Sequence, residues 1–83
     1  MLAYILLNCI PSQEKNIIED LNKIPEVVEA NVIMGKYDII VKITGNLPGE
    51  IDLAVSKIRS IKGVTRSYTM TAVYGQGGSI DKK

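Results

Sequence analysis

Residues 27–44 read VVEANVIMGKYDIIVKIT, and this stretch decides the predicted fold. Two runs rich in Val and Ile, residues 27–34 and 37–44, lie on either side of Gly35-Lys36. β-Branched residues favour strands, and glycine readily adopts the positive φ of a tight reversal. Because two strands so close in sequence pair with each other, the stretch predicts an antiparallel β-hairpin.

A strand and a helix are predicted on the N-terminal side of this hairpin. Residues 2–9, LAYILLNC, are a continuous apolar run, which indicates a strand buried on both faces and central in its sheet. The helix that follows is expected to have Ser12 as its N-cap and to end at Pro25, because the residue before a proline is disfavoured in the α region. The apolar face of this helix consists of Ile17, Ile18, Leu21 and Ile24.

A second helix and a fourth strand are predicted on the C-terminal side of the hairpin. Residues 45–49, GNLPG, form a loop, and Gly63 is the stop signal of the helix that follows it. Residues 64–74 are expected to form a long strand, and residues 75–83 a flexible C-terminal tail. The apolar face of the second helix consists of Ile51, Ala54, Val55, Ile58 and Ile61.

The order β-α-β-β-α-β indicates an α+β, ferredoxin-like fold, with residues 1–74 as its one domain. Its antiparallel four-stranded sheet carries two helices on one face and leaves the other face bare. Because the first strand is apolar on both sides, we expect the chain to pair with a second copy, face to face or by a sheet edge, with dimerisation through the bare face as the favoured mode. A monomer with a semi-polar bare face is the alternative. Alternation places on one side of the fourth strand Val64, Arg66, Tyr68, Met70, Ala72 and Tyr74.

Composition excludes several kinds of site. The chain has 83 residues, which is a single small domain whose core is marginal without further stabilisation. It contains one cysteine, Cys9, and no histidine, which excludes disulfide frameworks, multi-cysteine zinc sites and the Ser-His-Asp and Cys-His arrangements. We therefore expect no catalytic residue, no metal and no cofactor, and oligomerisation is the expected stabiliser. Cys9 itself is expected to be an inert apolar residue.

The net charge and the sequence of residues 1–10 argue against nucleic-acid and membrane partners. The ten Lys and Arg and nine Asp and Glu residues give a net charge of +1, and such a near-neutral domain is not expected to bind nucleic acid alone. Lys57, Arg59 and Lys62 are expected to form a solvated helix face. Residues 1–10 are apolar but stop at Pro11, lack a signal-peptide layout and are too short to cross a bilayer. The expected location is therefore the cytoplasm, with no membrane partner.

Two segments carry candidate ligand-binding residues. In the hairpin, Gly35 can present backbone N–H groups to a carboxylate, Asp38 can face an ammonium, and Tyr37 can donate its hydroxyl. On the last strand, Ser67 and Thr69 alternate on one face, where hydroxyls can line a polar pocket. Each also has a structural explanation: a turn glycine and aspartate, a packed tyrosine, and hydroxyls on a solvated strand face. The residues alone thus indicate only a small binding or oligomerisation module.

Four short motifs add a family resemblance. In chain order they are residues 25–30 (PEVVEA), 35–38 (GKYD), 63–64 (GV) and 67–69 (SYT). Together, on the elements predicted above, they resemble the ligand-sensing (RAM) domain of Lrp/AsnC-type regulators over residues 1–74. Ser67 stands where the family often has Thr, and Tyr68 where relatives are often charged or polar.

The resemblance implies a function. Domains of this family dimerise through their sheets, the dimers assemble into octameric or similar rings, and amino-acid effectors bind between dimers. Carried over by motif, Gly35, Tyr37 and Asp38 would lie at that site, with Ser67 and Thr69 opposite. Asp38 would receive the effector's ammonium, and N–H groups near Gly35 and the two hydroxyls its carboxylate.

The resemblance also implies partners and leaves alternatives. Full-length members carry a helix-turn-helix before this domain, so the chain resembles a stand-alone form without it. Mixed assembly with full-length Lrp/AsnC-type regulators is a further implication, and the expected function is a non-enzymatic one in transcription regulation. The alternatives are a small dimeric α+β-barrel enzyme and a purely structural assembly partner of full-length regulators.

Overall fold

Six elements follow one another in the predicted order. The computed structural model describes residues 1–73, so Tyr74 and the predicted tail at 75–83 lie outside the described residues. The elements are β1 (Leu2–Cys9), α1 (Glu14–Leu21), β2 (Val27–Val32), β3 (Ile39–Thr44), α2 (Pro48–Arg59) and β4 (Val64–Thr71).

The four strands form one antiparallel sheet in the order β2-β3-β1-β4. β1 lies between β3 and β4, which confirms the central position predicted from its apolar composition. The non-sequential order arises because α1 and α2 each carry the chain across the sheet. The predicted ferredoxin-like βαββαβ fold is therefore confirmed.

Burial alternates strictly along β1. Its odd-numbered residues, from Ala3 to Cys9, are buried beneath the helices, and its even-numbered residues are only half-buried. The same alternation runs along β3, where Ile39, Val41 and Ile43 are fully buried. The helices contribute to this core Ile17, Leu21, Ile51, Ala54 and Ile58. The core thus occupies the space between the helices and one face of the sheet.

The start of α1 differs from the prediction that Ser12 is its N-cap. The N-cap position is occupied by Gln13, which forms no side-chain capping bond. Ser12 has a φ of 69°, and its Oγ donates to the carbonyl of Pro11 at 2.6 Å. This left-handed conformation takes the hydroxyl away from the first N–H groups of the helix. The turn is instead closed by the Gln13 N–H, which donates to the carbonyl of Ile10 at 3.1 Å.

The hairpin strands are shorter than predicted. β2 ends at Val32 and β3 begins at Ile39, so the connection is residues 33–38 rather than a two-residue turn. The N–H of Ile33 donates to the carbonyl of Asp38 at 2.9 Å and closes this loop. Gly35 has a φ of 125°, a conformation that side-chain-bearing residues rarely adopt. The glycine therefore determines the path of the loop.

One predicted face assignment on β4 is wrong. A register shift at Asn8 and Cys9 brings Val64 opposite Cys9, and Val64 packs against the core instead of sharing a face with Arg66. Beyond this shift the alternation holds, because Arg66 pairs with Asn8 and Tyr68 with Leu6 on the open side. A strand irregularity of this kind changes the face of every residue before it.

Candidate functional site

The face of the sheet opposite the helices is open. Paired positions place on it Leu2, Tyr4 and Leu6 from β1, Ile40 from β3, and Tyr68 and Met70 from β4. Tyr68 is 55% exposed and Met70 38% exposed. Toward β2 the face becomes polar, with Glu29, Asn31 and Lys42. Apart from the polar pair Asn8 and Arg66 at one end, the β1 and β4 side of the open face is thus an apolar surface of the kind that marks an interaction site.

The hairpin end of the sheet holds Asp38 tightly. Its Oδ2 accepts from the Cys9 N–H at 2.9 Å and from Asn8 Nδ2 at 3.4 Å, and its own N–H donates to the Leu7 carbonyl at 2.8 Å. Asn8 Nδ2 also donates to the Lys36 carbonyl at 3.0 Å. Asp38 therefore ties the loop to the end of β1. Both of these bonds to the carboxylate of Asp38 are accepted by Oδ2.

Gly35 and Tyr37 precede Asp38 in the loop between β2 and β3. Gly35 is exposed, and nothing within the described residues lies within 4 Å of where its Cβ would stand. Glycine is therefore favoured at this position because of its positive φ, and not because a side chain would lack space. Tyr37 is half-buried beside it. The two positions leave the tip of the loop open to solvent.

Ser67 and Thr69 lie at the opposite edge of the sheet. They pair with Leu7 and Ile5, so they point to the helix-covered side of β4, the outermost strand. There they line a groove of about 470 Å³ between this strand and the end of α2. Its other lining residues are Arg59, Val64, Thr65 and Arg66.

The single chain does not bring the two groups of predicted site residues together. Ile39, which follows Asp38, pairs with Leu7, and Leu7 pairs with Ser67. The hairpin and Ser67 are thus two strand spacings apart, about 10 Å, with β1 between them. The hairpin residues and Ser67 lie toward the same end of the sheet, whereas Thr69 lies farther along β4. Within one chain the two groups of predicted residues are therefore separate.

Sequence reasoning did not single out Asn8 and the two groove arginines. Asn8 is a polar residue inside the apolar run 2–9, and that break in the pattern is the signal that marks it. Arg59 was expected only as part of a solvated helix face, and no spacing rule connects it with Arg66. Both line one groove because α2 ends beside β4.

Cys9 fits its predicted role as an inert apolar residue. It is buried, and burial, together with the nearby negative charges of Asp38 and Glu14, raises the pKa of its thiol above the ordinary 9.0. The thiol is therefore protonated at neutral pH and a poor nucleophile. Within residues 1–73, no cluster of three or more metal-ligating side chains is present. No helix among these residues has the length and apolar character needed to span a membrane.

The fold and its open face define a ferredoxin-like domain with an unpaired sheet surface. The model of the Lrp/AsnC ligand binding domain matches residues 2–74, and the chain belongs to this family. An uncharacterised HTH-type transcriptional regulator of Pyrococcus furiosus is 31% identical over 74 residues, covering 84% of this chain and 49% of the relative. The HTH-type transcriptional regulator FL11 of Pyrococcus horikoshii is 36% identical over 70 residues, covering 84% and 46%. The chain thus spans about half the length of these curated relatives.

Two solved structures show the same architecture. FFRP-DM1 is 34% identical with a TM-score of 0.82, covering 87% of this chain and 97% of that one. AsnC of E. coli has a TM-score of 0.84 at 17% identity, covering 95% and 54%, and shows the fold alone. One partial match is to an enzyme: homocitrate synthase of Sulfurisphaera tokodaii is 41% identical over 49 residues, which are only 11% of its length. The full-domain relatives are transcriptional regulators.

Proposed function

We propose that this chain is a non-enzymatic amino-acid-sensing and assembly module of transcription regulation. It forms homodimers through the open sheet face, the dimers assemble into an octameric or similar ring, and a free amino acid binds between dimers. It acts in the cytoplasm and does not itself contact nucleic acid. The observation that carries the proposal is the separation of the predicted site residues into two groups, in a chain of this regulator family.

The open face supports the dimer. Its apolar half would leave Tyr68, Met70 and the even-numbered residues of β1 in contact with water in a monomer. Burying such a surface contributes about 25 cal/mol per Å² of apolar area. A chain of 83 residues has a small core, so this contribution is a large part of its total stability.

The two groups of predicted site residues support a ligand between subunits. In one subunit, Asp38 Oδ1 would receive the effector's ammonium, and the N–H groups of the loop around Gly35 would receive its carboxylate. In a subunit of the next dimer, Ser67 and Thr69 would add hydroxyl groups from the β4 edge. The 2.9 Å bond from Cys9 to Asp38 Oδ2 preorganises the carboxylate without using its second oxygen.

Mixed assembly with full-length Lrp/AsnC-type regulators is part of the proposal. The curated relatives are about twice the length of this chain, and the chain matches about half of each. If the sheet faces are similar, a subunit of this chain would pair with a subunit of a full-length regulator. Effector bound to a mixed ring would then alter DNA binding by the other subunits through linkage.

Native mass spectrometry with and without a mixture of the twenty amino acids tests this function. The proposal expects a ring of dimers whose mass rises by one small ligand for each site between dimers. A ring that takes up nothing would contradict sensing and favour the purely structural assembly partner. A lone dimer or monomer at micromolar concentration would contradict the site between dimers altogether.

A further inference from the structure

Asn8 places a side-chain amide in a strand whose other residues are Leu, Ala, Tyr, Ile and Cys. Its Nδ2 donates to the Lys36 carbonyl at 3.0 Å and to Asp38 Oδ2 at 3.4 Å. A primary amide has two N–H donors, so each has one acceptor, and both acceptors belong to the loop of residues 33–38. A half-buried amide among apolar residues is costly unless it is hydrogen-bonded. These two bonds therefore account for an asparagine at this position.

The bond to Lys36 orients the peptide group between Lys36 and Tyr37. In a trans peptide the C=O and the N–H that follows it point in opposite directions. Because Asn8 holds the Lys36 carbonyl toward β1, the Tyr37 N–H is turned away from that strand. This N–H lies two residues after Gly35, in the part of the loop that the proposed function assigns to the effector's carboxylate.

The bond to Asp38 concerns the acceptor proposed for the effector's ammonium. Asp38 Oδ2 accepts from Asn8 Nδ2 and, at 2.9 Å, from the Cys9 N–H. The Cys9 donor is a backbone group and is present whichever side chain stands at position 8. Asn8 is thus the side chain of β1 that bonds both to the Asp38 carboxylate and to the peptide group at Lys36.

We propose that Asn8 is the positioning residue of the hairpin part of the effector site. The inference rests on the proposed function and names the group that sets the spacing between its charged acceptor and its N–H donors. One amide bonds to both elements, so it fixes the carboxylate of Asp38 relative to the peptide that carries the Tyr37 N–H. Asn8 acts on the effector through these two groups.

Two substitutions of nearly unchanged side-chain shape test this role. Asn8→Asp replaces the donors with acceptors and adds a negative charge beside Asp38, whereas Asn8→Leu removes the donors and adds no charge. Each should lower amino-acid affinity about tenfold or more in assemblies of unchanged mass. The probe is an equimolar mixture of the twenty amino acids, titrated into the assembled protein with the bound mass measured by native mass spectrometry. If the added charge prevents folding, Asn8→Leu decides.

Asn31→Asp is the matched control. Asn31 lies on the same open face of the sheet, and its Nδ2 also donates to a carboxylate, that of Glu29, at 3.0 Å. The substitution makes the same chemical change beside a carboxylate but outside the hairpin loop, so uptake should stay unchanged. Equal losses in Asn8→Asp and Asn31→Asp would attribute the effect to added charge and contradict positioning.

Amide hydrogen exchange gives a second measurement, which needs no effector. The N–H groups of Ile33, Asp38 and Cys9 donate to the Asp38 carbonyl, the Leu7 carbonyl and Asp38 Oδ2. Both Asn8 variants should speed exchange at these three groups, while the core positions of β3 keep their wild-type protection. A residue that only stabilised the whole fold would instead change exchange in the loop and in β3 alike.

The outcomes separate this inference from the proposed function. Wild-type uptake in both Asn8 variants would overturn the positioning role and leave sensing intact. If the wild-type protein takes up no amino acid, sensing fails and the exchange measurement decides the inference. Faster exchange confined to the loop would then support positioning of the loop by Asn8, and unchanged or uniformly faster exchange would overturn it as well.

Discussion

The two faces of the sheet have similar residues and different surroundings. In β1, Ile5 and Leu7 are fully buried under the helices, whereas Tyr4 and Leu6 on the other face are only half-buried. Residue type distinguishes the two sets only at Tyr4 and Asn8, because the other residues of β1 on both faces are apolar. The β1 part of the sheet is thus largely apolar on both faces, and within residues 1–73 the helices cover only one of them.

The adjacent leucines of β1 give the largest expected difference between the faces. Leu7→Ala should lower the free energy of unfolding by about 2–5 kcal/mol, because it leaves a cavity in the core. Leu6→Ala removes the same atoms from the open face, so its cost should appear mainly as weaker dimerisation. Urea unfolding at several protein concentrations separates the two, since only a loss at a subunit interface depends on concentration. Identical, concentration-independent losses would contradict the distinction.

Substitutions of Tyr68 and Leu53 compare the open sheet face with an exposed apolar position elsewhere on the molecule. Both are 55% exposed in the single chain, Tyr68 on the open face and Leu53 on α2. Tyr68→Lys should weaken dimerisation by about a hundredfold, roughly 3 kcal/mol, because it places a charge in an apolar contact. Leu53→Lys should leave assembly unchanged. Sedimentation velocity measures both, and circular dichroism checks that each variant is folded. Unchanged assembly in Tyr68→Lys would show that the open face is not the interface.

Asp38 tests the hairpin separately from the sheet faces. Asp38→Asn keeps an oxygen that can accept from the Cys9 N–H but removes the charge, so we expect effector binding to fall about tenfold or more with the fold retained. Asp38→Ala also loses the bonds to β1 and should cost about 1–2 kcal/mol of stability in addition. Calorimetry and thermal unfolding measure the two effects. Wild-type affinity in Asp38→Asn would refute the ammonium-binding role.

The alkylation rate of Cys9 measures how well the helices cover their face of the sheet, and it is the smallest of the expected effects. Its raised pKa and burial predict slow alkylation near pH 7, whereas a cysteine placed by Leu6→Cys on the open face should react quickly in the monomer. Since the folded thiol holds its proton more tightly than the unfolded one, this group lowers stability only as pH rises above 9.0, the ordinary thiol pKa. Comparison of alkylation rates by mass spectrometry checks the prediction. Rapid reaction of folded Cys9 would contradict it.

The fold was predictable because strong local patterns agree with one another. The apolar run of β1, the helical spacing from Ile17 to Leu21 and the hairpin around Gly35 each specify one element. Two features that depend on three-dimensional packing were not predictable. Ser12 adopts a positive φ instead of capping α1, and the register shift at Asn8 moves Val64 to the core side.

The candidate site was only partly predictable for the same reason. The motif residues Gly35, Asp38, Ser67 and Thr69 could be named in advance, but not the bond from Cys9 that holds the aspartate. That bond joins positions 29 residues apart, and no periodicity encodes it. Arg59 and Arg66 likewise line one groove only because α2 ends beside β4.

Subunit mixing shows whether two chains together complete one ligand site. Asp38→Asn and the double variant Ser67→Ala/Thr69→Val would each be titrated alone, and neither should show sites of wild-type affinity. Refolded together in equal amounts, they should recover about a quarter of the wild-type sites, since random assembly joins an intact hairpin with an intact β4 edge at that frequency. No recovery in mixed assemblies of normal size would contradict a site shared between subunits.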